Sequence, residues 1–228
     1  MEKSCSAPGD SPRGPTASVL TLGCKVNQFE SAAISRMLED AGFLLVEKGA
    51  PADVVVVNAC TVTHRADFET RALIRRAFRA NPAVRIVVTG CLAQVNPSEI
   101  SSLPGVSLVI GQNFKGEIVN LLKSSDPSRV LVSPWSRRLP ILDLGFPSFD
   151  RSRAFFRIQD GCNGFCSYCI VPKARGPSRS LPPARVFEGL DRYFLEGRAE
   201  VVLTGIHLGS WGLDLDPASD FHSLLLEL

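Results

Sequence analysis

Two rhythms of apolar residues alternate along the first half of the chain. Short aliphatic and β-branched runs at 19–22, 53–57, 85–89 and 106–110 have the length and composition of buried strands. Between them, apolar residues recur every three or four positions. Ala33, Ile34, Met37, Leu38 and Ala41 predict a helix over 28–41, with Asn27 as its N-cap and Gly42 as its stop. Further helices are predicted over 64–80, closed by Asn81-Pro82, over 97–102 and over 113–123. This alternation predicts an α/β fold, a doubly wound parallel sheet. Residues 124–153 lose both rhythms. They are rich in Ser, Pro and Arg and read as a linker with a short strand near 129–132. The pattern then resumes with a strand over 154–158, a helix from Pro182-Pro183 to about 196, a strand over 199–203 and a helix over 221–228.

Composition narrows the class. The 228 residues are 45% hydrophobic with a formal net charge of +2, which fits a globular protein and does not by itself announce a nucleic-acid partner. No apolar run is long enough to span a bilayer, so no membrane is expected. Residues 1–17, rich in Ser, Pro and Gly and without an apolar core, read as a disordered tail rather than a secretory signal, and the protein is expected to be cytoplasmic. Seven cysteines, an odd number in such a chain, argue against a disulfide framework and for ligand roles. Cys5, in the tail, reads as an exposed thiol.

The cysteines fall into two sets. Cys162, Cys166 and Cys169 share one short loop, with Gly161 and Gly164 allowing the backbone to curl tightly. Three thiolates from one loop can cap three corners of an iron–sulfur cube and leave the fourth iron open. A structural zinc site is the competing reading, but it wants four ligands, and the next candidate after Cys169 is His207. Cys24, Cys60 and Cys91 each follow a predicted parallel strand by one to three residues. The carboxyl ends of such strands share one edge where ligands bind, so three cysteines distant in sequence are expected to converge on a second metal site. The alternative is that each is an ordinary buried cysteine.

The loop Cys162-Asn163-Gly164-Phe165-Cys166-Ser167-Tyr168-Cys169 resembles the cluster loop of the radical S-adenosylmethionine (SAM) enzymes. That resemblance implies an open iron that chelates SAM and a reduced cluster that cleaves it to a 5'-deoxyadenosyl radical. The segments TLGCKVNQFES, NACTVTHRAD and TGCLAQ resemble the three cysteine boxes of the methylthiotransferase family, which hold a second 4Fe-4S cluster. LGCKVNQ and TGIHLGSWGLDL resemble the branch that modifies threonylcarbamoyladenosine beside the anticodon of tRNA, although Trp211 stands where tyrosine is expected.

The resemblance covers residues 18–228 and implies a methylthiotransferase domain over 18–123, the linker over 124–153 and a radical-SAM domain over 154–228. It implies two 4Fe-4S clusters and SAM as cofactors, tRNA as partner, and replacement of an adenine C–H by C–S–CH3. One SAM provides the methyl group and another the radical; sulfur and electron donors are left open. Methylthiolation of an isopentenyl-type adenosine or a ribosomal-protein aspartate is an alternative, as is an iron–sulfur RNA-binding fragment without turnover. The family's radical-SAM domain resembles a partial barrel of six strand–helix units, of which about two are present, so the chain is expected to be the N-terminal portion of a longer enzyme, inactive as given.

Among lesser signals, Tyr168 is an adenine-facing or packing aromatic, and Gly205 faces the cofactor side after the second barrel strand. Lys173, Arg175 and Arg179, just past the cysteine loop, are candidates to contact RNA or SAM. Arg71, Arg75 and Arg79 line one helix face, which reads as solvated before it reads as an RNA contact. His207 as a general base is not required by radical chemistry.

Overall fold

The computed structural model describes residues 14–124, 130–136, 139–149 and 152–228. Cys5 and most of the expected tail lie outside the described residues.

The first unit runs β1 (Thr16–Thr21), α1 (Lys25–Asp40), β2 (Leu44–Leu45), β3 (Val54–Ala59), α2 (His64–Ala80), β4 (Arg85–Gly90), α3 (Cys91–Val95), α4 (Pro97–Ser101) and β5 (Val106–Ile110). A 3-10 helix (Gln112–Glu117) leads into α5 (Ile118–Lys123), and β6 (Val130–Leu131) follows. The six strands form one sheet in the order β2-β1-β3-β4-β5-β6, and every pair is parallel. Alternate side chains of β3 serve opposite faces. Val54 and Val56 pack with Ile34 and Leu38 of α1 and Ile118 and Leu122 of α5. Val55 and Val57 pack with Ile74 of α2, Leu92 of α3 and Ile100 of α4. With a helix layer on each face, all six residues of β3 are buried, which is why its sequence is a continuous β-branched run.

Local departures from the predicted elements have local causes. β1 begins at Thr16, inside the stretch expected to be disordered, because the Asp53 carboxylate accepts both the Thr16 N–H at 2.8 Å and its hydroxyl at 2.7 Å. Asn27 is not the N-cap of α1. Cys24 holds that position, and Asn27 lies in the first turn with its side-chain amide donating to the Leu22 carbonyl at 2.7 Å. β4 runs directly into α3 through Gly90, whose φ of +93° makes the sharp turn without a spacer, so this short helix left no separate signature in the sequence.

The second unit pairs β7 (Arg153–Arg157) with β10 (Glu200–Thr204) in parallel, joined through α7 (Pro183–Leu195), as a strand–helix–strand unit predicts. Between them lies a feature absent from the sequence reading. β8 (Gln159–Asp160) and β9 (Arg179–Ser180) pair antiparallel and close the base of the cysteine loop, with α6 (Val171–Arg175) inside it. A 3-10 turn (Leu208–Ser210) and α8 (Phe221–Glu227) complete the described chain. The core is aromatic: Phe156 lies 5.7 Å from Phe146, 5.6 Å from Tyr193 and 6.3 Å from Phe29. Phe29 belongs to α1, so the two units share this cluster.

The described parts of 124–153 are not a free linker. Phe146 and Phe149 pack on the second core, and the Trp135 indole N–H donates to the Lys173 carbonyl at 2.9 Å. Asp143 pairs with Arg185 of α7 at 2.6 Å.

Candidate metal centre

Cys24, Cys60 and Cys91 stand just past the carboxyl ends of β1, β3 and β4, three neighbouring strands of the sheet. Neighbouring residues show how tightly these ends approach. A Cβ on Gly23 would lie 2.9 Å from the Cys60 Cβ, and one on Gly90 would lie 2.4 Å from the Ala59 carbonyl oxygen. Cys24 is exposed, Cys60 intermediate and Cys91 buried. Burial pushes the Cys91 thiol up, while Arg175 and Lys115 act in the opposite direction. The Gln112 amide also donates to its sulfur at 3.6 Å.

The second set lies on the loop after β8. The Asp160 carboxylate accepts the Gly161 N–H at 2.9 Å, and the Gly176 carbonyl accepts the Cys162 N–H at 3.0 Å. At the tip, the Gly164 N–H donates to the Cys162 sulfur at 3.3 Å, and a Cβ there would lie 3.3 Å from that sulfur and 3.7 Å from the Cys166 sulfur. Two thiols thus flank a single glycine. Phe165, at φ 43°, takes the left-handed conformation that the tight curl demands.

Among the described residues, no three His, Cys, Asp or Glu side chains converge closely enough to hold one metal ion.

The functional residues that sequence reasoning missed lie between the sets. Glu30 of α1 is 0% exposed and pairs with Lys115 at 2.5 Å, Arg175 at 3.0 Å and Arg157 at 3.2 Å. Asp160, 3% exposed, pairs with Arg175 at 2.9 Å and with Arg157 and Arg179 at 3.5 Å. Burial works against the Glu30 charge, but Arg175, Lys115 and Arg157 outweigh it and hold the carboxyl well below the ordinary carboxylate range. Burial likewise opposes ionisation of Asp160, yet Arg175 and Arg157 bring it below its ordinary value. Burial pulls the Lys115 ammonium down, with Glu30 opposing. Four basic side chains therefore meet two carboxylates. A buried network with surplus positive charge suits a neighbouring anion, and Cys24, hydrogen-bonded to Asn27 of that network, stands at its edge. The donor set and its surroundings suit an anionic iron–sulfur cluster.

This network corrects one expectation. Arg175 and Arg179 do not face outward toward RNA or SAM. Arg175 is 1% exposed and committed to Glu30, Asp160 and Asn27, and Arg179 lies over the Trp135 ring at 4.7 Å with Asp160 behind it. Lys173 alone of the three is exposed. Tyr168 is 89% exposed and does not pack in the core. Gly205 follows β10, and a Cβ there would meet Gln159 at 2.8 Å, so its lack of a side chain serves that close approach. His207 is exposed, its backbone N–H donating to Gln159 at 2.8 Å. A cavity of about 670 Å³ between α1 and β7 is lined by Gly23, Ser31, Arg36, Arg153 and Phe155 and by no cysteine. No helix of the described residues is long and apolar enough to cross a membrane.

Residues 16–111 match Uncharacterized protein family UPF0004. The chain is 41% identical over 217 residues to the threonylcarbamoyladenosine tRNA methylthiotransferase MtaB of Bacillus subtilis, covering 93% of this chain and 48% of that protein. It is 36% identical to the MtaB of Aquifex aeolicus, covering 91% and 51%. It is 31% identical to the tRNA-2-methylthio-N(6)-dimethylallyladenosine synthase of Clostridium botulinum, covering 90% and 47%. The chain spans about half the length of these relatives. Among solved structures, TsrM, a radical SAM methyltransferase of Kitasatospora setae with cobalamin and a [4Fe-4S] cluster bound, matches with a TM-score of 0.60 at 15% identity, covering 94% of this chain and 52% of that one. At that identity the likeness concerns the fold.

Proposed function

We propose that this chain, a member of the methylthiotransferase family, takes part in placing a methylthio group on threonylcarbamoyladenosine in tRNA, in the cytoplasm. The observation that carries the reading is the pair of three-cysteine sets in one chain, one at adjacent strand ends and one in a glycine-curled loop, joined by a buried network whose charge suits anionic clusters. Cys162, Cys166 and Cys169 would hold one 4Fe-4S cluster, and Cys24, Cys60 and Cys91 the other. The first cluster, when bound, supplies the electron that cleaves SAM. The chain's own residues hold and orient. Asp160, Gly161 and Gly176 fix the base of the cysteine loop, Gln112 and Arg175 back Cys91, and Tyr168 stands free to lie against the adenine of SAM. Lys173, exposed beside the loop, is available to a phosphate. The unactivated adenine C–H offers no acidic proton to a base, which is why radical chemistry suits this substrate.

The 31% identity to the dimethylallyladenosine enzyme motivates a second reading, the same chemistry on that nucleoside. Nucleoside analysis of tRNA from cells lacking the gene separates them. Loss of the methylthio form of threonylcarbamoyladenosine, with the dimethylallyl product intact, is the expected result. The reverse pattern would replace the substrate, and an unchanged profile would overturn both.

A further inference from the structure

Arg175 ends α6, six residues beyond Cys169, and is 1% exposed. Its guanidinium donates to Glu30 Oε1 at 3.0 Å, to Asn27 Oδ1 at 2.5 Å and to Asp160 Oδ1 at 2.9 Å. Each partner leads to a cysteine set. Asn27 Oδ1 also accepts from the Cys24 thiol at 3.7 Å, and both Asn27 and Glu30 lie on the helix that Cys24 caps. Asp160 Oδ1 also accepts the N–H of Gly161, the residue before Cys162. The carbonyl of Gly176, next to Arg175 in the chain, accepts the Cys162 N–H at 3.0 Å. One side chain therefore stands one contact away from both cysteine sets.

Stability alone does not account for this arrangement. Buried ion pairs are frequently replaceable by apolar packing at no loss of stability, and their best-attested use is to fix one register among several. The shared aromatic cluster around Phe29 and Phe156 already holds the two units together, but apolar packing is non-directional. A planar guanidinium with its donors in a rigid fork sets orientation as well as distance.

We propose that Arg175 is a positioning residue. It fixes the two cysteine sets relative to each other and places a permanent positive charge beside the N-terminal set. The proposal rests on the reading that each set holds a cluster. Fixed positive charge next to a cluster favours its reduced form, so the charge raises the reduction potential of the N-terminal centre.

The test uses the full 228-residue chain as wild type, Arg175→Gln and Arg175→Lys. Should Arg175→Gln fail to fold, the double variant Glu30→Gln/Arg175→Met, which removes the bridge with both charges together, takes its place. Hydrogen exchange is measured on the metal-free protein. Arg175→Gln is expected to lose protection in residues 24–31 and 159–162 together, and Arg175→Lys to lose it in part. Unchanged protection in either segment would overturn the positioning role. Redox titration of the reconstituted chain is followed by electron paramagnetic resonance, with signals assigned through variants lacking one cysteine set. Arg175→Gln is expected to shift the N-terminal centre to a more negative potential, and Arg175→Lys to hold the wild-type potential. An unmoved N-terminal potential in Arg175→Gln would overturn the electrostatic role. If wild type takes up no iron, the cluster reading itself fails, and hydrogen exchange still decides whether Arg175 bridges the sets.

Discussion

Asn27 and Arg175, 148 positions apart in the chain, meet in one buried hydrogen bond of 2.5 Å, the guanidinium donating to the amide oxygen. The bond joins the first turn of α1 to the end of α6, inside the second cysteine loop. With Glu30 and Asp160 it makes the contact between the two units polar and directional at its centre, while Phe29 makes it apolar beside that centre.

Removing Glu30 should be the most damaging single change to a charge in this chain. Glu30→Ala leaves Lys115, Arg157 and Arg175 buried without their shared anion. Breaking a buried pair from one side costs about 3–5 kcal/mol, whereas losing an exposed helix pair such as Arg36–Asp40 costs about 0.5 kcal/mol or less. Urea denaturation of Glu30→Ala beside Asp40→Ala checks the contrast; equal midpoints would show that the network contributes nothing.

The same carboxylate should make the fold sensitive to acid. Its pKa in the folded chain lies well below its ordinary value of 4.5. Its stabilisation is therefore complete above about pH 5 and is lost progressively as pH falls toward the depressed folded value. Between about pH 5 and 3, wild type is expected to lose more stability than Glu30→Gln, and the two curves should converge at the acid end. Parallel curves across that range would mean that Glu30 does not titrate as its surroundings require.

Two glycines should separate the centres. Gly161, at φ +74°, has the Pro177 carbonyl oxygen 1.9 Å from where a Cβ would sit, and Gly90, at φ +93°, has the Ala59 carbonyl at 2.4 Å. Neither backbone can give way cheaply. Gly161→Ala is expected to lower iron uptake by the set Cys162, Cys166 and Cys169, and Gly90→Ala by the set Cys24, Cys60 and Cys91. After anaerobic reconstitution, each variant should fall from about eight irons per chain toward about four. Full loading of either variant, or zinc as the main metal in wild type, would contradict the assignment.

Tyr168 should matter to ligand binding and not to folding. At 89% exposure its loss removes little packing, so Tyr168→Ala is expected to change stability by less than about 0.5 kcal/mol and to keep its iron. SAM binding to the reconstituted protein, measured by calorimetry, should weaken severalfold. Wild-type affinity would remove Tyr168 from the cofactor site.

Trp135 should act as a strap. Its ring lies under Arg179 and against Gly176, and its N–H holds the Lys173 carbonyl. Trp135→Ala is expected to expose the segment around 124–153 to limited proteolysis faster than wild type, with the remaining sheet still protected. Identical cleavage kinetics would show that the segment is held without it.

The residues that make up the two cysteine sets were legible in the sequence because their signals are local. Strand and helix rhythms, turn glycines and the spacing of Cys162, Cys166 and Cys169 depend on neighbours in the chain, and they located the sheet and the strand ends that carry Cys24, Cys60 and Cys91. One further signal was available: Glu30 lies four residues after Val26 and four before Ile34, on the buried stripe of α1. The rest had no local signature. The two-residue strands β8 and β9 are too short for a period to show. Glu30, Lys115, Arg157, Asp160 and Arg175 are residue types that belong in water unless a partner of opposite charge is already in place, and each of these partners lies on another element. Sequence determined which cysteines stand at the strand ends and which share one loop. Only the tertiary structure decided that one buried charge network joins the helix capped by Cys24 to the base of the second cysteine loop, because burying those charges becomes tolerable only once α1, α6 and β8 have brought them together.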